Sequence, residues 1–246
     1  MYNNYIMDNI KTNMFNSNKN ENDVSLQSLW NKKESPDQNE VDDIYELMFT
    51  TVNLLSEKNI NYHLIAGSAL GQARNSGLIP WDDDVDFGIH VKDADKIWEN
   101  KQYFIERGYK ITKADIGFKI GTGDINEDAI TSDDSEYVVT GPKKPFSGIN
   151  QDIFLFNENG YEDGIKVMRY TCERALKTWP KEVIPIHGWY NPIEGDFGGF
   201  KVNTLPPNEL KWYLSNSFGN KWNTHDGNGK FINDKSCAKH TSKNNL

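Results

Sequence analysis

Apolar residues recur along this chain with two different periods, and the changes of period mark its elements. In "VDDIYELMFTTVNLLSEKNI", Ile44, Leu47, Met48, Val52 and Leu55 return every three or four positions, which predicts an amphipathic helix over 41–60. "NYHLIAGS" reads as a short strand ending at a Gly-Ser turn, and "ALGQARNSG" as a short helix stopped by Gly77. After "LIPW" comes an acidic run that leads into the strand "VDFGIHV". "DADKIWENKQYFIERGY" predicts a helix with an Asp start and a stop at Gly108. From 109 to 156 strands and loops are expected, with "GFKIGTGD", "EYVVTGP" and "NQDIFLFNENG" as the strands. "DGIKVMRYTCERALKTW" predicts a helix stopped by Pro180. "LPPNELKWYLSNSFG" predicts another, with proline in its first turn and Gly219 beyond its end. Helices and strands mix without a regular βαβ period and without an internal repeat, so the expected class is α+β, a mixed α/β arrangement.

Composition changes this picture mainly at the ends. Residues 1–40 are rich in Asn, Lys, Asp and Ser and carry too little apolar surface to offset the entropy of ordering; they are expected to be a disordered tail. Residues 41–235 form the expected folded domain, and 236–246 a flexible polar tail. The net charge of −9 argues against a nucleic-acid binder, which would show a basic face. Cys172 and Cys237 fit neither a disulfide framework nor a zinc pattern. No apolar run is long enough to span a membrane, and the start of the chain lacks a signal-peptide pattern. The expectation is an intracellular, soluble protein, cytoplasmic by default.

The chemistry concentrates in "GLIPWDDDVDFGIHV", where Asp82, Asp83, Asp84 and Asp86 crowd the entry to an apolar strand. If the strand begins near residue 82, alternation puts Asp82, Asp84 and Asp86 on one face and turns Val85 and Phe87 toward the core. Like charges so close repel by a few kcal/mol at an effective dielectric of about 20. A bound divalent cation relieves this, and all-oxygen ligands suit Mg²⁺ or Mn²⁺ better than zinc. An EF-hand is excluded because Phe87 stands where that loop needs glycine. A further carboxylate is expected from a neighbouring strand, and Asp152 in "NQDIFLF" offers it. In "AGSALG", the backbone around Gly67 and Ser68 can face an anion at a helix start. Trp81 reads as a packing residue, and the five scattered histidines carry no recognisable pattern. The rings of Trp179, Trp189, Tyr190, Trp212 and Trp222 could cage an organic cation or stack on a sugar, but read more readily as core packing.

These residues bring a family into view. "HLIAGSALGQARNSGLIPWDDDVDFGI" resembles the signature block of the LicD family, which includes fukutin-type proteins. "GFKI", "QDIFLF" and "LPPNELKWYLSNSFGNKW" are similar to its later blocks, so the resemblance spans roughly 42–223. It implies a nucleotidyltransferase-like core, a mixed β-sheet flanked by helices. It also implies an enzyme that transfers a phospho-alcohol, such as phosphocholine or ribitol phosphate, from a CDP-activated donor to a glycan hydroxyl. Carried over residue by residue, it makes Asp84, Asp86 and Asp152 the metal-holding and catalytic set; one carboxylate is expected to take the acceptor's proton, with Asp152 as the candidate and the choice left open. Gly67, Ser68, Arg74, Asp82, Asp83 and Lys119 become substrate contacts, with Arg74 and Lys119 on phosphate oxygens. The zinc-binding cysteine cluster of fukutin-related proteins has no counterpart here. Two rival readings stay open: a metal-dependent glycosyltransferase using a nucleotide sugar, and an inactive binding protein of the same fold.

Overall fold

The computed structural model of the protein describes residues 36–126, 130–133, 136–139 and 144–224. The two expected tails fall mostly outside that set. The first helix, α1 (Gln38–Glu57), starts earlier than its apolar stripe indicates, because Asp37 and Glu40 form a reciprocal capping box at its head. β1 (Tyr62–Leu64) follows, then α2 (Ala66–Asn75), which ends at Ser76 in the left-handed region. β2 (Asp86–His90) leads through a 3₁₀ turn into α3 (Ala94–Glu99) and α4 (Lys101–Ile105). The single helix expected over 93–108 is thus two short ones, broken at Asn100.

Next come β3 (Lys110–Ala114), β4 (Gly117–Gly121), β5 (Ile130–Asp133), β6 (Glu136–Val139) and the long β7 (Asn150–Glu162). β8 (Ile165–Tyr170) corrects a sequence expectation, for it occupies the first half of the segment read as a helix; only α5 (Glu173–Thr178) is helical there. The reason is local. Asp163 and Gly164 both take positive φ (48° and 78°), making the tight two-residue turn that favours an antiparallel hairpin between β7 and β8. β9 (Ile184–Pro185), α6 (Ile186–Tyr190), the hairpin β10 (Ile193–Phe197) and β11 (Phe200–Thr204), and α7 (Pro207–Phe218) complete the described chain.

Among the described residues the main sheet is mixed, with order β1-β2-β7-β4-β3-β6-β5; β8 and β9 extend it from the outer half of β7. β2 and β7 run parallel, whereas β1 with β2 and β4 with β7 are antiparallel. Side-chain alternation sorts the sheet into two faces. Phe87, Ile89, Phe118, Ile120 and Ile153 pack on one face with Tyr45, Leu47 and Leu55 of α1 and with Phe104. Phe154 and Phe156 pack on the other with Leu70 of α2, Trp81, Tyr170, Trp189 and Tyr213 of α7. The sheet is therefore a layer between two apolar cores, the mixed α/β architecture flanked by helices. Gly88 belongs to the second face, where a Cβ would lie 3.0 Å from both Ile65 and the Phe156 ring. No helix among the described residues is long and apolar enough to cross a membrane.

Candidate active site

Three adjacent strands deliver the central group. In the β2–β7 register Asp86 stands opposite Asp152, and in the β7–β4 register Asp152 stands opposite Lys119. All three precede or follow the apolar residues of the α1 face by one position, so they belong to the α2/α7 face of the sheet. Asp86 is 4% exposed and Lys119 is 5% exposed. The Lys119 ammonium donates to both oxygens of Asp152, at 2.7 and 2.6 Å.

The strand that was expected to begin near residue 82 begins at Asp86. Residues 82–85 are irregular, after a turn in which the Asp82 N–H donates to the Ile79 carbonyl. Strand alternation would have thrown Asp83 to the opposite face. The irregular path instead brings carboxylate oxygens of Asp82, Asp83 and Asp84 within 4.8 Å of one another. Lys144, on the segment leading into β7, reaches back to Asp83 at 2.7 Å. Sequence reasoning missed this lysine because nothing local in "GPKKPF" points to a residue so distant along the chain.

The electrostatics follow from crowding. At about 5 Å and an effective dielectric of about 20, each pair of full charges repels by roughly 3 kcal/mol. Burial first, then Asp83 and Asp152, push the Asp84 carboxyl up to about 6, against the pull of Lys144. Burial, followed by Asp84, Asp152, Asp82 and Glu182, raises Asp86 well above the ordinary carboxylate range. Such a set is eased by taking up protons or by holding cations. Its donors are all carboxylate oxygens, those of Asp82, Asp83 and Asp84 at close mutual range with Asp86 and Asp152 coupled to them through charge, and such donors fit a hard divalent ion such as Mg²⁺ or Mn²⁺.

The β1–α2 turn clamps Asp86 from the other side. The Asp86 N–H donates to Ser68 Oγ at 2.8 Å, and the Asp86 carbonyl accepts from the Ile65 N–H at 3.1 Å. Ser68 is thus engaged with the strand that carries the acids. Gly67 lies beside it, and both are buried in the first turn of α2. Between the two clamp points Ala66 has φ +59°, a left-handed value that costs a non-glycine residue about 1–3 kcal/mol. Its N–H donates to the Tyr213 hydroxyl at 2.7 Å, and that hydroxyl donates to Glu182 Oε1 at 2.5 Å. Glu182 and Tyr213 come from "PKEVIP" and from the middle of α7, where neither stands in a pattern that sequence reading could use.

Other expected contact residues have partners within the protein. Arg74, in the last turn of α2, donates through Nε to the Trp222 carbonyl at 2.6 Å, so part of its donor set ties down the C-terminal segment. Trp81, Trp179 and Trp189 are buried in the second core, and Trp212 and Trp222 pack against it, which makes them framework. Arg174, by contrast, is brought near the site. It donates twice to Asp115 in the β3–β4 turn, at 2.7 and 2.9 Å; that hydrogen bonding first, and the charges of Asp115 and Asp152 with it, raise the Arg174 guanidinium above its ordinary range.

Comparison with known proteins adds four findings. A family profile described as LicD/FKTN/FKRP, nucleotidyltransferase domain, matches residues 59–187. An uncharacterized protein of Rickettsia typhi is 40% identical over 68 residues, covering 28% of this chain and 22% of that protein. The human ribitol 5-phosphate transferase FKRP is 48% identical over 43 residues, covering 18% of this chain and 9% of the transferase. The chain thus spans about a quarter or less of the length of these relatives. A solution structure of the antibiotic-resistance factor ANT(2'')-Ia aligns with 76% of this chain and 82% of its own at 14% identity, but its TM-score of 0.36 is too low to carry an argument. The family match takes in the β1–α2 turn, the acidic entry to β2, Lys119 and Asp152, and on it the chain belongs to the LicD/FKTN/FKRP nucleotidyltransferase-domain family.

Proposed function

We propose that this chain is a transferase that moves a phospho-alcohol from a CDP-activated donor to a hydroxyl of a glycan. The observation that carries the reading is the register of Asp86, Asp152 and Lys119 across three strands, next to the converged Asp82–Asp84 group. Family membership supports a nucleotide-linked donor, and the partial likeness to a ribitol 5-phosphate transferase supports a phospho-alcohol as the group moved.

In this reading Asp84, Asp86 and Asp152 hold one or two Mg²⁺ or Mn²⁺ ions, with Asp82 and Asp83 supplying further oxygens. When bound, such ions would neutralise charge on the diphosphate as the leaving group departs. The chain's own residues do the rest. Lys119 and Lys144, each already paired with a carboxylate of the group, are the cations available to phosphate oxygens. The acceptor oxygen forms a bond to the phosphorus that bears the alcohol, the bond from that phosphorus to the bridging oxygen breaks, and CMP leaves with the electron pair. The hydroxyl proton passes to a carboxylate. Asp152 is shared between Lys119 and the ions in this reading, so the proton-accepting role falls to the 82–84 group.

The test is a thermal-shift screen of CDP-choline, CDP-ribitol, CDP-glycerol and UDP-sugars with Mg²⁺, followed by product analysis with the donor that binds. Release of CMP is expected. Release of a nucleoside diphosphate would instead identify a sugar transferase. Stabilisation by no nucleotide and no divalent cation would leave a binding protein of the same fold.

A further inference from the structure

One buried pair stands behind the carboxylates without belonging to them. Glu182 is 2% exposed and Tyr213 is fully buried, both against the second core. The hydroxyl of Tyr170 faces the same carboxylate. Burial and the neighbouring Glu182 keep the Tyr213 hydroxyl protonated, so it donates to the carboxylate and accepts from the backbone at once. A buried acid of this kind costs several kcal/mol unless it is well satisfied. The core around it could have been filled with apolar side chains, so its position asks for a use.

The hydrogen bonds lead to one. We infer that Glu182 and Tyr213 are positioning residues, a relay that fixes the left-handed Ala66 and through it seats Asp86 in the carboxylate group. Each link is a contact already described: Glu182 to Tyr213, Tyr213 to the Ala66 N–H, and the residues on either side of Ala66 to the two backbone groups of Asp86. Ala66 lacks glycine's freedom at φ +59°, so without the Tyr213 hydroxyl its backbone has reason to relax. Relaxation there moves Ile65 and Ser68, and Asp86 loses both of its clamps. This inference rests on the proposed function only for its consequence, that the relay tunes cation affinity; the relay itself is a property of the chain alone.

Two readouts separate the two. Tyr213→Phe keeps the ring and its packing and removes the hydroxyl. Glu182→Gln keeps the shape and an acceptor oxygen and removes the charge. Leu214→Val, next to Tyr213 on α7 and equally buried, is the control for general core loss. Amide hydrogen exchange is measured in the metal-free proteins, and Mn²⁺ affinity separately. Tyr213→Phe is expected to raise exchange at Ala66 and Asp86 at least about tenfold, with β4 unchanged, and to weaken Mn²⁺ binding about tenfold, as loss of an outer-shell partner does. Glu182→Gln is expected to fall between Tyr213→Phe and the unmodified chain, and Leu214→Val to show neither local effect. The relay is overturned if Ala66 and Asp86 stay as protected in Tyr213→Phe as in the unmodified chain, or if exchange rises evenly across the sheet. If the unmodified chain binds no Mn²⁺, the metal-dependent reading fails, and the exchange pattern still decides the relay.

Discussion

A carboxylate buried among others is under strain until something neutralises it, and Asp86 is the case in point. Removing its charge has opposite consequences for stability and for function. Asp86→Asn is expected to raise the melting temperature of the cation-free protein, because four acidic neighbours no longer oppose it. The same change is expected to abolish transfer and the stabilisation given by Mn²⁺. Thermal melts with and without Mn²⁺, paired with a turnover assay, check both; retained turnover in folded Asp86→Asn protein would remove Asp86 from the site. At this scale the sequence was informative where the residues are neighbours. Asp82 to Asp86 could be read as a group, and Asp152 as the partner to look for, because each opens an apolar strand. Lys144, Glu182 and Tyr213 could not be read, since each acts across a distance that only the fold closes.

At the scale of elements, spacing between β4 and β7 sets the Lys119–Asp152 contact. Gly117 guards that spacing: its φ is +140°, and a Cβ there would lie 2.4 Å from the Ile153 carbonyl oxygen. Gly117→Ala must push the strands apart or leave the pairing, and a loss of about 2–4 kcal/mol is expected in urea unfolding. A second consequence is a weaker hold of Lys119 on Asp152. Local turns and irregular segments override the apolar period at this scale. The helical period of "GIKVMRY" was overridden by the Asp163–Gly164 turn, a local signal that sets an antiparallel return. The acidic segment was given strand geometry that begins only at Asp86, and the true irregular path is what lets three consecutive aspartates converge. The overlooked capping box at Asp37 shows the same limit, for its polar pair lies outside the apolar stripe that announced α1.

For the molecule as a whole, the crowded carboxylates predict an unusual dependence on pH. Burial, then the neighbouring carboxylates, push the Asp84 carboxyl to about 6 in the fold against an ordinary 3.8, and the same causes raise Asp86 well above the ordinary range. The folded state therefore binds more protons than the unfolded chain between these values. Stability from Asp84 is fully present below about pH 4 and is lost as pH rises through about 6, and Asp86 acts in the same direction. The cation-free protein is expected to melt lower at pH 7.5 than at pH 5.5 in scanning calorimetry. Saturating Mn²⁺ should reverse that order, since an ion that binds only the folded state stabilises it and competes with the protons.

The parallel register of β2 with β7 carries one more implication, for how the chain comes to be made. Four strands, β3 to β6, are synthesised between Asp86 and Asp152, so these two acids stay apart until the last of them has emerged and a long loop has closed. The repulsion between Asp86 and Asp152 is incurred only when that register forms. A nascent chain that stops short of β7 carries the acidic entry to β2 without Asp152 beside it, so if the assembled carboxylates hold a cation as proposed, its uptake would report finished assembly.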